Sequence, residues 1–215
     1  DNNIYNNRGY LLILLKSMLQ HKIKLLWGAQ ATINIGDDIE TLHYLYKAGC
    51  RVLFIGMESV NQKNLDEVNK HFIFEDYRRR IKNLHNAGIK VAAYFMFGLD
   101  NDSKDTVNDI YRFVNSTGIE IPLLNFLTPA PGTRVYDKLK KEGRLLFVED
   151  RELLSQKHFY NSACNTCFFV PRHMTSDEAE KCFLDLYRKL AGYFQILKRS
   201  ANLNPFMMGF LLGMN

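Results

Sequence analysis

The stretch "AGCRVLFIGMES" at residues 48–59 decides the fold, because two later stretches repeat its pattern. These are "AGIKVAAYFMFGLD" at residues 87–100 and "TGIEIPLLNFLTP" at residues 117–129. Each opens with a small residue or Thr, then a glycine, one further residue, a charge and an apolar run. A glycine just after a helix is the usual C-terminal cap, since it adopts a left-handed conformation at little steric cost. Each repeat therefore predicts the end of a helix followed by a strand.

Helical periodicity precedes each of the three glycines. Apolar residues recur three and four positions apart, as an amphipathic helix requires. The three stripes are Ile39, Leu42 and Leu45; Tyr77, Ile81 and Leu84; and Val107, Ile110 and Val114. Upstream, Leu11–Leu19 predicts a helix and Ile23–Ile33 a strand. The chain thus alternates helix and strand, and its strands are apolar through their middles, which is typical of a parallel sheet covered by helices.

The predicted fold class is α/β, with two domains. Residues 1–143 are expected to form either an open doubly wound sheet or a partial (βα) barrel, since a closed eight-strand barrel needs about 250 residues. Residues 144–215 are expected to form a mixed C-terminal extension. The extension has apolar runs at Leu145–Val148 and Cys167–Val170 that predict short strands, a long helix at about 175–198 and an apolar tail.

Composition narrows the functional classes. The net charge of +5 is mild and its basic residues are scattered, which favours solvated surfaces over a nucleic-acid site. No signal peptide is visible, and no apolar run reaches the roughly 18 residues of a membrane span. The four cysteines are too few for a disulfide scaffold, which predicts a reduced, cytoplasmic setting. Cys164 and Cys167 form a C-x₂-C pair, which we interpret as two thiols rather than half a metal site.

Polar, small or acidic residues follow the predicted strands, at the edge where parallel α/β folds bind their ligands. The residues at this edge are Gln30 and Thr32; Gly56, Glu58 and Ser59; Gly98, Asp100 and Asp102; and Asn125 and Thr128. Such an edge suits a polar small molecule with hydroxyls and an amine. Gln30 stands within an apolar strand, where a buried amide would need partners. Alternatively, Glu58, Asp100 and Asp102 cap the helices that follow them.

Three motifs in this order resemble radical S-adenosylmethionine (SAM) enzymes, and in particular the class with an N-terminal cobalamin-binding domain. They are "GMES…NK", "F-x-x-G-L-D" and "LTP-x-PGT", and the resemblance covers residues 1 to about 190. It implies a partial (βα) barrel that holds SAM across its strand ends. It also implies a [4Fe–4S] cluster, whose reduction cleaves SAM to a 5′-deoxyadenosyl radical, and an electron donor such as flavodoxin or ferredoxin. In members with cobalamin, methyl transfer is a frequent outcome.

The resemblance also assigns residues that bind the cofactor. Glu58, with Ser59 beside it, would contact SAM. Gly98 matches the glycine of the fifth-strand motif, and Leu127 and Thr128 match the adenine contacts of the sixth strand. Asn3 falls near the SAM amino group. Together with Gln30 these are the predicted SAM-binding residues, and no catalytic residue or metal ligand is assigned.

One feature departs from the family pattern: none of the four cysteines has the CxxxCxxC spacing of the cluster loop. The expectation is therefore a C-terminal fragment that is inactive alone, with the cluster ligands and any cobalamin domain before Asp1. One alternative is a non-catalytic barrel remnant that binds a nucleotide-like ligand or a protein partner. Another is an ordinary α/β enzyme that uses Glu58 or Asp100 as general acid or base, although it lacks a matching His, Ser or Cys partner at any strand end.

Overall fold

The computed structural model describes residues 3–70, 72–146 and 166–200. Within these residues, four parallel strands form one sheet in the order β1-β2-β3-β4. The strands are β1 (Trp27–Ala31), β2 (Cys50–Glu58), β3 (Lys90–Phe97) and β4 (Ile121–Phe126). Helices connect them, so the α/β class with parallel strands is confirmed.

The helices lie before, between and after the strands. They are α1 (Arg8–Gln20), a 3₁₀ helix (Ile33–Asp37), α2 (Ile39–Lys47), α3 (Gln62–Glu67), α4 (Glu75–Asn86), α5 (Thr106–Thr117), α6 (Arg134–Lys141), α7 (Ser176–Ala191) and α8 (Tyr193–Ser200). Their apolar stripes pack on one face of the sheet, as Leu42, Ile81 and Val114 do in a core shared with Leu53 and Val91. The opposite face carries a smaller apolar cluster that includes Val52, Ala92 and Ile121.

The glycines of the three repeats have the predicted backbone. Gly49, Gly88 and Gly118 have φ angles of +93°, +79° and +73°, within two residues of the ends of α2, α4 and α5. At Gly49 a Cβ atom would also lie 1.8 Å from the carbonyl oxygen of Leu25. Only glycine fits there, and the repeat is confirmed as a helix end followed by a strand.

The structure corrects two predicted elements. The first strand does not span Ile23–Ile33: pairing begins only where the Trp27 N–H donates to the Gly49 carbonyl, at 3.2 Å, and a 3₁₀ helix begins at Ile33. The long C-terminal helix is two helices, α7 and α8, that meet at Gly192. Its predicted start is confirmed, because Thr175 and Glu178 form a capping box.

The described part of the C-terminal extension packs against the ends of β3 and β4. The Phe183 ring of α7 lies 5.3 Å from Phe126 and 6.4 Å from Phe97, between ring centroids. Leu145 forms an antiparallel bridge with Phe169, where short strands were expected. The remainder of those predicted strands, Cys164 and the apolar tail lie outside the described residues, and the division at residue 143 stays a prediction. None of the helices in residues 3–70, 72–146 and 166–200 is long and apolar enough to cross a membrane.

Candidate functional site

A cleft of about 310 Å³ opens at the carboxyl edge of the sheet and is bordered by all four strands. This volume is at the lower end of the range of about 300–1,000 Å³ that is typical of small-molecule sites. Its lining residues are Asn3, Gln30, Ala31, Thr32, Phe54, Gly56, Glu58, Lys70, Tyr94 and Asn125. The position is the one expected for ligand binding in a parallel α/β fold.

Glu58 reaches this cleft from a strained turn at the end of β2. Its φ angle is +62°, and the Ser59 N–H donates to the Met57 carbonyl at 2.8 Å, which closes a three-residue turn around Glu58. With a positive φ at its centre, this is the rare and strained form of the γ-turn. The strand pairing also shifts register between Gly56 and Glu58. A left-handed residue that is not glycine costs about 1–3 kcal/mol and persists only where its surroundings hold it, commonly at a functional site.

The Glu58 carboxylate forms an ion pair with Lys70 in the cleft. Lys70 Nζ lies 3.1 Å from Glu58 Oε1, and the two side chains are 30% and 21% exposed. Gly56 makes room for the pair, since a Cβ atom there would lie 2.5 Å from Glu58 Oε1 and 3.4 Å from Lys70 Nζ. The cleft therefore presents one negative and one positive group side by side, both within reach of solvent.

Sequence reasoning did not identify Lys70 as a site residue. Lys70 follows α3, where its backbone N–H donates to the Leu65 carbonyl at 2.8 Å. The loop thereby returns toward the end of β2. The one signal in the sequence is the "NK" at residues 69–70, which belongs to the first motif of the resemblance but carries no assigned role.

The β1 side of the cleft holds polar groups that were expected there. The Ile4 N–H donates to the Gln30 carbonyl at 2.9 Å, which places Asn3 beside the end of β1. Asn3 Nδ2 also donates to Thr32 Oγ1 at 3.4 Å. The apolar strand had suggested that the Gln30 side chain is a buried amide, and this expectation is wrong. The side chain is exposed and lines the cleft, because β1 is at the edge of the described sheet.

Four predicted residues lie near this edge without lining the cleft. Ser59 is buried, with 1% exposure. Gly98 follows β3 with a φ angle of +100°. Leu127 and Thr128 continue from β4, and the Leu127 N–H donates to the Phe97 carbonyl at 2.8 Å. Their roles as ligand contacts stay predictions. Tyr94 lines the cleft and was missed, because its position in an apolar strand resembles that of a core residue.

Neither Asp100 nor Asp102 caps α5. The Asp100 carboxylate accepts hydrogen bonds from Lys138 at 2.7 Å and Arg144 at 2.8 Å, and it lies 2.9 Å from Arg172 Nε. Although burial would raise the pKa of Asp100, the hydrogen bonds from Lys138 and Arg144 hold that pKa well below its usual range. A carboxylate held in this way is a poor proton acceptor at neutral pH, so Asp100 is unsuited to general acid–base catalysis.

The cysteines of the described residues do not fit an iron–sulfur cluster. Cys50 and Cys167 are buried, and burial raises their pKa values to about 12 and about 11. Metal binding requires the thiolate, which such burial disfavours. Among residues 3–70, 72–146 and 166–200, no three His, Cys, Asp or Glu side chains come together as a metal site. We therefore derive no step that involves a cluster held by these residues.

The cleft fits SAM better. SAM carries an ammonium and a carboxylate at one end and ribose hydroxyls in its nucleoside part. The Glu58–Lys70 pair offers the two complementary charges, and the amides of Asn3, Gln30 and Asn125 offer both donors and acceptors for hydroxyls.

Comparison with known proteins agrees with this fit. Residues 3–114 match the radical SAM superfamily. The bacteriochlorophyllide d C-12(1)-methyltransferase of Chlorobaculum tepidum is 28% identical over 200 residues, which are 93% of this chain and 41% of that protein. The anaerobic magnesium-protoporphyrin IX monomethyl ester cyclase of Cereibacter sphaeroides is 30% identical over 125 residues, 58% of this chain and 20% of that protein. The chain thus spans less than half the length of these relatives.

A solved structure shows the same fold. The radical SAM methyltransferase TsrM of Kitasatospora setae, solved with cobalamin and a [4Fe–4S] cluster bound, superposes with a TM-score of 0.59 at 13% identity. The superposition covers 96% of this chain and 43% of that one. The sequence match extends over more than half of the chain, and the fold agrees with it. The chain belongs to the radical SAM superfamily.

Proposed function

We propose that this chain forms the SAM-binding strand edge of a radical SAM enzyme. When complete, such an enzyme reductively cleaves SAM at a [4Fe–4S] cluster to generate a 5′-deoxyadenosyl radical. The observation that carries the proposal is the Glu58–Lys70 pair, which is held in the cleft by a strained turn. Because no cysteines in the sequence have the CxxxCxxC spacing, the cluster ligands would lie outside these 215 residues.

The charges of the cleft suggest how SAM is oriented. The Glu58 carboxylate would accept hydrogen bonds from the SAM ammonium, and Lys70 would pair with the SAM carboxylate. On binding, Glu58 would exchange Lys70 for the SAM ammonium, and Lys70 would exchange Glu58 for the SAM carboxylate. No charge would then be left unpaired. Asn3, Thr32 and Gln30 line the β1 side, where their polar groups would meet other hydrogen-bonding groups of the ligand.

Methyl transfer is the reaction that the relatives favour, and cobalamin the additional cofactor. One relative is named a methyltransferase, and TsrM was solved with cobalamin bound. The cyclase shows that a related chain also occurs in a protein with another reaction, so other chemistry at a C–H bond is the second candidate. For either reaction, a one-electron donor such as flavodoxin or ferredoxin would supply the reducing electron.

Isothermal titration of SAM into the purified protein tests the proposal. Glu58→Gln removes the negative charge and is expected to weaken SAM binding about tenfold, the effect of about 1.4 kcal/mol. Glu75→Gln is the matched control, since Glu75 is an exposed acid at the start of α4 and should leave SAM binding unchanged. The absence of SAM binding, or equal affinities in the two variants, would contradict the proposal.

A second ligand separates SAM binding from the alternative of a nucleotide-binding remnant. 5′-Methylthioadenosine keeps the nucleoside and the sulfur but lacks the amino-acid end of SAM. Lys70→Met should weaken SAM binding and leave the affinity for methylthioadenosine unchanged. If SAM and methylthioadenosine bind equally well to the unmodified protein, the cleft recognises a nucleoside alone and the alternative function holds.

A further inference from the structure

A buried polar network lies behind the cleft and connects the ends of β2 and β3. Its side chains are Ser59, Asn64 and Asp102, which are 1%, 0% and 2% exposed. None of the three is among the residues that line the cleft. Buried polar groups are costly unless they are hydrogen-bonded, and a fully hydrogen-bonded network among them restricts the surrounding backbone.

The Asn64 amide is at the centre of this network. Its Nδ2 donates to Asp102 Oδ1 at 2.8 Å and to Ser59 Oγ at 3.2 Å, and its Oδ1 accepts from the Asn101 backbone N–H at 3.0 Å. Asp102 Oδ2 accepts the backbone N–H groups of Gly98 at 2.8 Å and Leu99 at 2.9 Å. Ser59 Oγ also accepts the Asn61 N–H at 3.1 Å.

The directions of these hydrogen bonds are set by backbone donors. The backbone N–H groups of Gly98 and Leu99 can only donate, so the atom of residue 102 that faces them must accept. The backbone N–H of Asn101 can likewise only donate, so the Asn64 side-chain oxygen must face it, and the Asn64 NH₂ must therefore face Asp102. An amide NH₂ in place of Asp102 Oδ1 would therefore set donor against donor at one of these contacts. A proton on Oδ1 would reduce its capacity to accept, whereas an ionised carboxylate can accept from every donor at once.

This network contacts two left-handed residues at the carboxyl edge, one after β2 and one after β3. Ser59 contributes the N–H that closes the turn around Glu58, and its Oγ is fixed by Asn64. Gly98, with φ of +100°, is fixed by the carboxylate of Asp102. Hydrogen bonds through Ser59 and Asn64 thus connect the strained turn of Glu58 to a carboxylate 44 positions later in the chain, which does not line the cleft.

We infer that Asp102 is a positioning residue for the SAM site, acting through Asn64 and Ser59 to hold the turn that directs Glu58 into the cleft. The inference rests on the proposed function. It predicts that SAM affinity depends on the direction of the hydrogen bonds between residues 102 and 64, although neither residue touches SAM.

Exchange of the two side chains provides the test. Asp102→Asn places an NH₂ against backbone donors or against Asn64, and Asn64→Asp sets two carboxylates side by side. Each single variant should weaken SAM binding about tenfold at a temperature where it is folded. In the double variant, the acid at residue 64 can accept from Asn101 and from the new amide, whose oxygen can accept from Gly98 and Leu99. The double variant should recover the affinity to within about twofold.

The variant Ser59→Ala supplies a second test if the charged variants fold poorly. It leaves the Asp102 bonds to Gly98 and Leu99 intact but removes the link to the Glu58 turn. SAM binding should weaken severalfold, and the midpoint of thermal unfolding should move by only a few degrees. Wild-type affinity in Ser59→Ala would show that the turn does not need this support.

A pH titration observes the same connection without any ligand. Burial, together with the nearby charge of Glu67, raises the pKa of Asp102 to about 6, against the hydrogen bonds from Gly98, Leu99 and Asn64. The charged groups around this loop are Glu67, Asp100, Lys138, Arg144 and Arg172. Lys138 on α6 forms ion pairs with both Glu67 and Asp100, and Arg144 and Arg172 also form ion pairs with Asp100. By NMR, the amide signals of Gly98, Leu99 and Ser59 should shift with one midpoint near pH 6.

The outcomes are separable. If the unmodified protein does not bind SAM, the proposed function fails, whereas a shared midpoint for Gly98 and Ser59 would still support the connection. If the protein binds SAM but Asp102→Asn binds it equally well, the positioning role fails and the proposed function stands. If Asp102→Asn weakens binding and the double variant does not recover it, the loss is a general structural one and the inference is overturned.

Discussion

Two glutamates at opposite edges of the sheet have contrasting surroundings. Glu120 directly precedes β4 at the amino edge, is 6% exposed, and lies within 3.2 Å of donors from His85, Lys90 and the Val91 backbone. Burial would raise its pKa, but the hydrogen bond from His85 and the other donors lower it below the usual glutamate range. Within the described part of the chain, Glu58 at the carboxyl edge has one ionic partner, Lys70, and a strained backbone.

The difference shows how one residue type serves two purposes in the same sheet. At the amino edge, the buried Glu120 carboxylate accepts from several donors and has no strained backbone. At the carboxyl edge, backbone strain and exposure are retained in Glu58, which is typical of a site that is kept ready for a ligand at some cost in stability. The amino edge is therefore expected to support stability and the carboxyl edge to support binding, as in other parallel α/β folds.

The largest expected effect is on stability at the amino edge. Glu120→Ala leaves the Val91 N–H and the His85 ring without their hydrogen-bond acceptor and separates Lys90 from its counter-charge. We expect a loss of about 3 kcal/mol in the free energy of unfolding, measured by urea denaturation. SAM affinity should be unchanged. The exposed Glu75→Ala is the control, and a similar small loss in both variants would remove the contrast between the edges.

A smaller effect is expected from Gly56→Ala at the carboxyl edge. The new Cβ would meet the Glu58 carboxylate at 2.5 Å, and this is the movable end of a side chain rather than backbone. Glu58 should shift away from Lys70, so that SAM affinity falls about tenfold, while the free energy of unfolding changes by less than about 0.5 kcal/mol. Gly9→Ala, where a Cβ would have room, is the control for SAM titration. Unchanged SAM affinity in Gly56→Ala would show that SAM binding does not depend on the Glu58–Lys70 ion pair.

The smallest effect measures the strain at Glu58 itself. Glu58→Ala and Glu58→Gly both remove the carboxylate, but only glycine accepts the φ of +62° without steric cost. Glu58→Gly should therefore be more stable than Glu58→Ala by about 1 kcal/mol in urea denaturation, and neither variant should bind SAM well. If Glu58→Ala is the more stable of the two, the turn is not strained and the difference between the edges lies in solvent exposure alone.

The elements most fully predicted are those that depend on neighbours in sequence. Gly49, Gly88 and Gly118 end helices as expected, because a helix stripe and its capping residue are a few positions apart. The 3₁₀ helix after β1 and the break at Gly192 were missed, because tertiary contacts decide whether an apolar run continues as one element. Lys70 was missed for a related reason, since α3 and its loop must first return it to the end of β2.

The amino-acid sequence by itself determined the alternation of helices and strands, the parallel sheet and the edge at which the polar cleft opens. These follow from periodicity, from caps and from the rule that parallel strands end together. Only the tertiary structure decided which polar residues face the cleft: Glu58 and Gln30 do, whereas Ser59 and Asp102 are buried behind it. The physical reason is that a buried carboxylate needs donors from several segments, and here Asn64 lies 38 positions before Asp102 in the chain.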